Sequence, residues 1–392
     1  MGAEDITIAG SALKTPERRA LREVVRSFTE KEIVPNLDQW ERDGKLPREL
    51  HEKAGELGLL AAGYPEELGG TGDLIDQMIV CEEMVRAGAS TGVLASLFSH
   101  TIAIPSIIRS GNQDLIEKFA IPALEGKVIC SLGITEPGTG SDVAGVTTKA
   151  VRDGDHFIVN GAKLYITSGV RADFVTLAVR TGGPGHGGVS LLVIEKGSPG
   201  FEVSRSLEKM GWWCSDTAEL SFVDARVPVA NLVGPENEGF LQIVKQFQSE
   251  RLMLAVESYA TAQRCLELTL QWVRDRHSFG APLSNHQVVR HKLAEMARQT
   301  DVAKEYTRRV VERYVAGEDV SMEVSMAKNT AVQAGEFVVH QAVQLFGGMG
   351  YMRESEVERH YRDIRIMGIG GGTVEIMNEV IAKKLGLTPK RM

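Results

Sequence analysis

Apolar positions recur at helical spacing from Thr15 to about Gln113. Thr15-Pro16 caps a first helix that Pro35 closes, and further helices are predicted over 47–57, 73–87, 91–110 and 113–124, punctuated by a turn at Gly69-Gly70-Thr71-Gly72. Near Lys127 the period changes. Short runs rich in β-branched and aromatic residues predict strands over 156–159, 163–167, 174–180, 189–195, 201–205 and 217–223. Asp153-Gly154 and Asn160-Gly161 read as hairpin turns, and 182–188 as a surface hairpin. After Gly239 long helices return over 239–275, 286–316, 321–345 and 375–385, enough apolar stripes to form a bundle. The predicted fold is multidomain α+β: an N-terminal α-helical domain (1–126), a middle antiparallel β-barrel or sandwich (127–236) and a C-terminal four-helix bundle (237–392).

The helix over 239–275 carries one anomaly. Ile243, Phe247, Glu250 and Leu254 fall on one face at the spacing of a buried stripe. A carboxylate there would be desolvated and its pKa raised, which is how a Glu becomes a proton acceptor. An architectural ion pair with Arg251 or another arginine is the rival account on this evidence alone.

Composition narrows the field. A net charge of −8 argues against nucleic acid as the main partner. The four cysteines show no C-x-x-C spacing and read as reduced thiols, and the nine histidines form no metal-binding pattern, so no metal is expected. No apolar run approaches a membrane span, and the N-terminus lacks a signal-peptide core. Met1-Gly2 hints at myristoylation, but Ile6 stands where Ser or Thr is needed. A cytoplasmic location is expected.

Five stretches carry candidate chemistry. Cys130–Asp142, CSLGITEPGTGSD, runs a strand into a Gly-rich turn. It starts like a dinucleotide fingerprint, but Val143 takes the third glycine's place and no helical pattern follows. Its amides and the hydroxyls of Thr135 and Ser141 can still hold a polar ligand. KLYITSG (163–169) puts Tyr165 at a strand end, where a flat ring could lie against it. RHSFG (276–280) follows a helix C-terminus, with Gln287 further on. QLFGGMGY (344–351) is the fourth stretch; in IGGGTVEIM (369–377) three successive glycines before a helix start bring backbone close to something, because a side chain there would collide.

Together with KMGWWCSDT, these stretches resemble, in order, motifs of the acyl-CoA dehydrogenase family over roughly residues 14 to 387. The match is to the subgroup, long-chain-like and isovaleryl-like, that carries its catalytic Glu on the first long C-terminal-domain helix. The resemblance implies FAD held non-covalently between the β domain and the bundle. It implies flavin contacts from Leu132, Thr135, Ser141, Tyr165 and Thr167, with Thr373 and Glu375 completing the site. Arg276, Phe279, Gln287, Gln344, Gly347 and Gly348 would hold the pyrophosphate and adenine end of a neighbouring subunit's FAD, implying a homotetramer built as a dimer of dimers. Ser141, Phe247, Arg251, Gly371 and Gly372 are the implied substrate contacts.

One departure decides the mechanism. Many family members carry the catalytic Glu where this chain has Gly371, and glycine cannot take a proton. Glu250-Arg251-Leu252 matches the subgroup's Glu-Arg-Leu, so Glu250 is the expected base. The expected reaction is dehydrogenation of an acyl-CoA to the trans-2-enoyl thioester, with electrons passed to an electron-transfer flavoprotein. The alternatives are an oxidase, an enzyme acting on a carrier-protein thioester, and a non-catalytic flavin protein. Residues 96–103 and 243–254 are expected to line the acyl cavity.

Overall fold

The computed structural model describes residues 11–387; the Met1-Gly2 myristoylation reading therefore lies outside the described residues. In the first helical segment α1 (Pro16–Phe28) is capped by Thr15, whose Oγ1 accepts from the Arg18 amide at 3.2 Å. There follow α2 (Leu37–Asp43), α3 (Arg48–Glu56) and α4 (Leu74–Arg86), the last capped by Asp73. The single helix expected over 91–110 is broken into α5 (Thr91–Leu97), α6 (His100–Ala103) and α7 (Pro105–Ser110). Pro105, which has no amide to continue the ladder, starts α7 at its first position. α8 (Gln113–Leu115) and α9 (Ile121–Leu124) flank a π-helical turn. Among the described residues no single helix is long and apolar enough to cross a membrane.

The sheet runs β1 (Cys130–Gly133), β2 (Lys149–Asp153), β3 (His156–Thr167), β4 (Phe174–Arg180), β5 (Val189–Glu195), β6 (Phe201–Ser206) and β7 (Thr217–Pro228). Its order is β1-β4-β2-β3-β7-β6, with β5 on the other edge of β4. Pairing is antiparallel except where β1 and the start of β2 meet β4 in parallel. The β2–β3 hairpin turns at Gly154 as expected, and 182–188 joins β4 to β5. Asn160-Gly161 does not turn. β3 continues through it and pairs with β7 on both sides of a bulge. Gly161 has φ +151°, and a Cβ there would lie 2.8 Å from Thr148 Cα, so glycine serves close approach instead of reversal.

The third segment holds α10 (Gly239–Asp275), α11 (Gln287–Val315), α12 (Ser321–Phe346), α13 (Glu356–Ile364) and α14 (Val374–Lys384). α13 has no counterpart in the sequence-based expectations. A buried bidentate pair fixes the first segment to the third: Arg308 Nε and Nη2 donate to Glu82 at 2.9 and 3.0 Å, and the Tyr259 hydroxyl also donates to Glu82. The β6–β7 connection wedges between layers. Its Trp213 ring meets the guanidinium of Arg362 at 3.6 Å, and the Trp212 amide donates to buried Asp363 at 2.6 Å. α10 touches every layer, so its residues are held by the whole molecule.

Candidate active site

α10 is anchored just before Glu250: Ser106 Oγ donates to Gln246 Oε1 at 2.9 Å, and Gln246 Nε2 donates to the Ile102 carbonyl. Burial raises the Glu250 pKa to about 7, against the opposing pull of Arg251 and Lys328. Its Oε2 is buried and has no hydrogen-bond partner among the described residues. A buried, unpaired carboxylate oxygen is costly for folding and marks a functional candidate.

The Gly370–Gly372 turn faces it. A Cβ on Gly371 would sit 3.2 Å from Glu250 Oε1 and 2.5 Å from Leu254 Cδ1. Gly371 and Gly372 have φ of +63° and +95°, backbone that glycine adopts without strain. Cations hold the turn's three carbonyls. Arg251 Nε donates to Gly371 O at 3.0 Å, and Lys328 Nζ donates to Gly370 O at 2.5 Å and to Gly372 O. The amides of Gly371 and Gly372 make no hydrogen bond among the described residues, leaving two donors beside the carboxylate. The Arg251 guanidinium also lies 5.3 Å from the Phe247 ring centre. Thr373 caps α14 through its Oγ1, and Glu375 is exposed in that helix's first turn.

A cavity of about 330 Å³ opens on Glu250. Of the two stretches expected to line it, only Thr101, Ser249, Glu250 and Met253 do so. Ser96 instead accepts from Arg171 Nη2 at 2.5 Å, and Ile243 and Leu252 are core. The missing walls come from the Gly63–Gly72 region, from Leu74 and Gln77 of α4, and from Tyr314 and Val315 at the end of α11. Nothing local in the sequence marks them, because tertiary packing brings them together.

On the sheet, Tyr165 stands 66% exposed at a bulge of β3 with φ +62°. Such backbone in a non-glycine residue is strained and concentrates at functional sites. Thr167 ends the same strand, its carbonyl accepting from Ser131 Oγ at 2.8 Å. Leu132 is half-buried on β1, Thr135 is half-buried just beyond, and Ser141 is exposed. The Gly-rich loop is pinned by Glu136, which accepts from the Thr147 hydroxyl at 2.6 Å, the Thr148 amide at 2.9 Å and buried Lys163 Nζ at 2.7 Å. Lys163, Glu136 and Lys328 were missed as site residues. Lys328 could have been found as Glu250 was, since it shares the buried face of α12 with Val324, Ala331 and Gly335.

The remaining candidates lie elsewhere. Arg276, Phe279, Gln287, Gln344, Gly347 and Gly348 are all exposed, Phe279 at 99%. Stacking of Trp272 on Phe346, ring centres 4.7 Å apart, brings the C-terminal ends of α10 and α12 together. At 1.5 Å rise per residue, Arg276 lies about 39 Å along α10 from Glu250. Two separate clusters therefore exist within one chain.

A helical layer, a curled sheet and a helical bundle, with a buried glutamate facing a glycine turn between α10 and α14, define the three-part fold of a class of enzymes. The chain belongs to the acyl-CoA dehydrogenase family, whose N-terminal, middle and C-terminal domain models match residues 15–127, 131–225 and 237–386. It is 38% identical to the mitochondrial long-chain specific acyl-CoA dehydrogenase of Rattus norvegicus, over 94% of this chain and 86% of that protein. It is 35% identical to a probable acyl-CoA dehydrogenase of Bacillus subtilis, over 95% and 98%. A crystal structure of a probable acyl-CoA dehydrogenase from Mycobacterium abscessus superimposes with a TM-score of 0.95 at 66% identity, covering 96% of this chain and all of that one.

Proposed function

We propose that this protein is an FAD-dependent acyl-CoA dehydrogenase in which Glu250 removes the α-proton of the acyl thioester. The observation that carries the reading is the 3.2 Å between a Cβ position at Gly371 and Glu250 Oε1. The two places from which family members supply a base converge on one point, and here only Glu250 can occupy it.

The α-C–H of a thioester is a very weak acid, so negative charge developing on the carbonyl oxygen needs donors. The Gly371 and Gly372 amides are suited to this, and Arg251 and Lys328 keep the turn rigid by holding its carbonyls. Glu250, poised near neutrality and without a partner for Oε2, accepts the proton in a site sheltered from water. FAD would be held by the exposed, strained Tyr165 together with Leu132, Thr135, Ser141 and Thr167, and by Thr373 and Glu375. When bound, it supplies the acceptor for the hydride lost from the β-carbon. Arg276, Phe279, Gln287, Gln344, Gly347 and Gly348 would hold the far end of a second subunit's FAD, in a homotetramer with domain boundaries near 126 and 236. An electron-transfer flavoprotein is the proposed acceptor, and four free, buried cysteines suit a reducing cytoplasm.

Glu250→Gln tests the assignment. The variant is expected to purify yellow with FAD yet lose anaerobic bleaching by acyl-CoA by about 1,000-fold or more. Bleaching at the wild-type rate would rule Glu250 out.

A further inference from the structure

The cavity beyond Glu250 is not an oily slot. Its walls include Tyr64, Gln77 and Tyr314, delivered by the loop after α3, by α4 and by the end of α11. Two other polar groups on its surface are already satisfied: Thr101 Oγ1 donates to Phe98 O at 2.8 Å, and Ser249 Oγ to Gln246 O at 3.0 Å. The two phenols and the Gln77 carboxamide are different, for their side chains make no hydrogen bond among the described residues. Arg109 lies within electrostatic reach of both phenols. Its guanidinium donates only to neutral acceptors, Ser106 Oγ and Gln242 O, both at 3.3 Å, and has no carboxylate partner among the described residues.

A plain hydrocarbon tail would strip water from these groups and give nothing back, whereas an oxygen atom on the tail would pair with them. A few convergent polar groups in a cavity are what fix a ligand's identity. We propose that the acyl group oxidised here carries an oxygen function, a hydroxyl, carbonyl or carboxylate, remote from the thioester and held by Tyr64, Gln77 and Tyr314. This rests on the dehydrogenase reading above and names its substrate class.

The test compares thioesters of about six to ten carbons, a span suited to a pocket-sized acyl group. Unsubstituted acyl-CoAs are set beside their ω-hydroxy and ω-carboxy counterparts, and kcat/KM is read from anaerobic flavin bleaching by the FAD-loaded enzyme. An oxygenated chain should exceed its plain partner by about 10-fold or more, because an unmatched polar site discriminates strongly. Tyr314→Phe and Gln77→Leu, both close in volume to the residues they replace, should bring that ratio toward one. Loss of a carboxylate preference in Arg109→Gln, with a hydroxyl preference kept, would identify the oxygen function as a carboxylate. Equal rates for plain and oxygenated chains at every length, or a ratio unmoved by both variants, would overturn the proposal while leaving the dehydrogenase reading intact. Bleaching by neither series would remove both.

Discussion

Glu250 and Glu257 stand two helical turns apart on α10, and burial raises both, to about 7 and about 8. Only Glu250 lines the cavity and meets the glycine turn, so desolvation alone does not make a base. The proposed role needs Glu250 ionised; kcat/KM is therefore expected to rise with pH through a midpoint near 7. The same shift acts on folding with a definite sign. The folded-state value lies above the ordinary carboxylate value of about 4.5, so the folded protein holds this proton more tightly than the unfolded chain. Stability is full below about 4.5 and is lost as pH rises through 7, by at most about 3 kcal/mol. Thermal melts of FAD-loaded Glu250→Gln should thus show a higher Tm than wild type at pH ~8 and little difference at pH ~5. Glu257→Gln should show the same stabilisation but keep flavin bleaching. A Glu257→Gln protein as inactive as Glu250→Gln would undo the distinction between the two.

At the scale of elements the site is a contract between α10, α12 and the 370–372 turn. Lys328 reaches across from α12 to two of the turn's carbonyls, and its charge also lowers the Glu250 pKa. Lys328→Met should therefore move the pH–rate midpoint upward and reduce kcat by about 10-fold or more as the turn's amides lose their aim. A pH profile superimposable on wild type would show that Lys328 is only packing. What the sequence disclosed and what it concealed divide along the same line. Glu250 was legible because a period of 3.6 places it among Ile243, Phe247 and Leu254. Gly371 stood out only through the family resemblance, as a place where many members carry a carboxylate, whereas the change of texture near Lys127 and Gly239 marked helix, sheet and helix in turn. Lys163 and Lys328 were hidden because a lone lysine is ordinarily a solvated residue, and its burial appears only when Glu136 or the glycine carbonyls are seen around it. Asn160-Gly161 misled because the same pair serves a turn or a bulge, and only pairing with β7 decides which. The cavity walls at Tyr64, Gln77 and Tyr314 come from three separated segments, and no local period joins them.

The whole molecule poses a question of reach. Glu250 lies in the first half of a 37-residue helix, while Arg276, Phe279, Gln287 and Gln344 gather at its C-terminal end. One extended nucleotide cannot use both ends of α10 in a single chain when they are separated by about 39 Å. A 99% exposed Phe279 held at φ +52° is also an expensive feature for a solitary subunit, since a large apolar ring is left in water on strained backbone. Both facts are resolved if a two-fold operation sets the Arg276 end of one copy against the proposed flavin site of another, so that each complete site draws on two chains. Complementation reads this directly. Glu250→Gln and Arg276→Ala homo-oligomers should each be inactive, the second through weakened FAD retention. Co-expressed at equal amounts, they should recover about a quarter of wild-type activity, because half the dimers are mixed and each mixed dimer contains one site free of both substitutions. Mixtures that stay inactive while mass analysis shows mixed oligomers would place Arg276 and Glu250 in the same site after all, and an Arg276→Ala homo-oligomer with wild-type activity would place Arg276 in none.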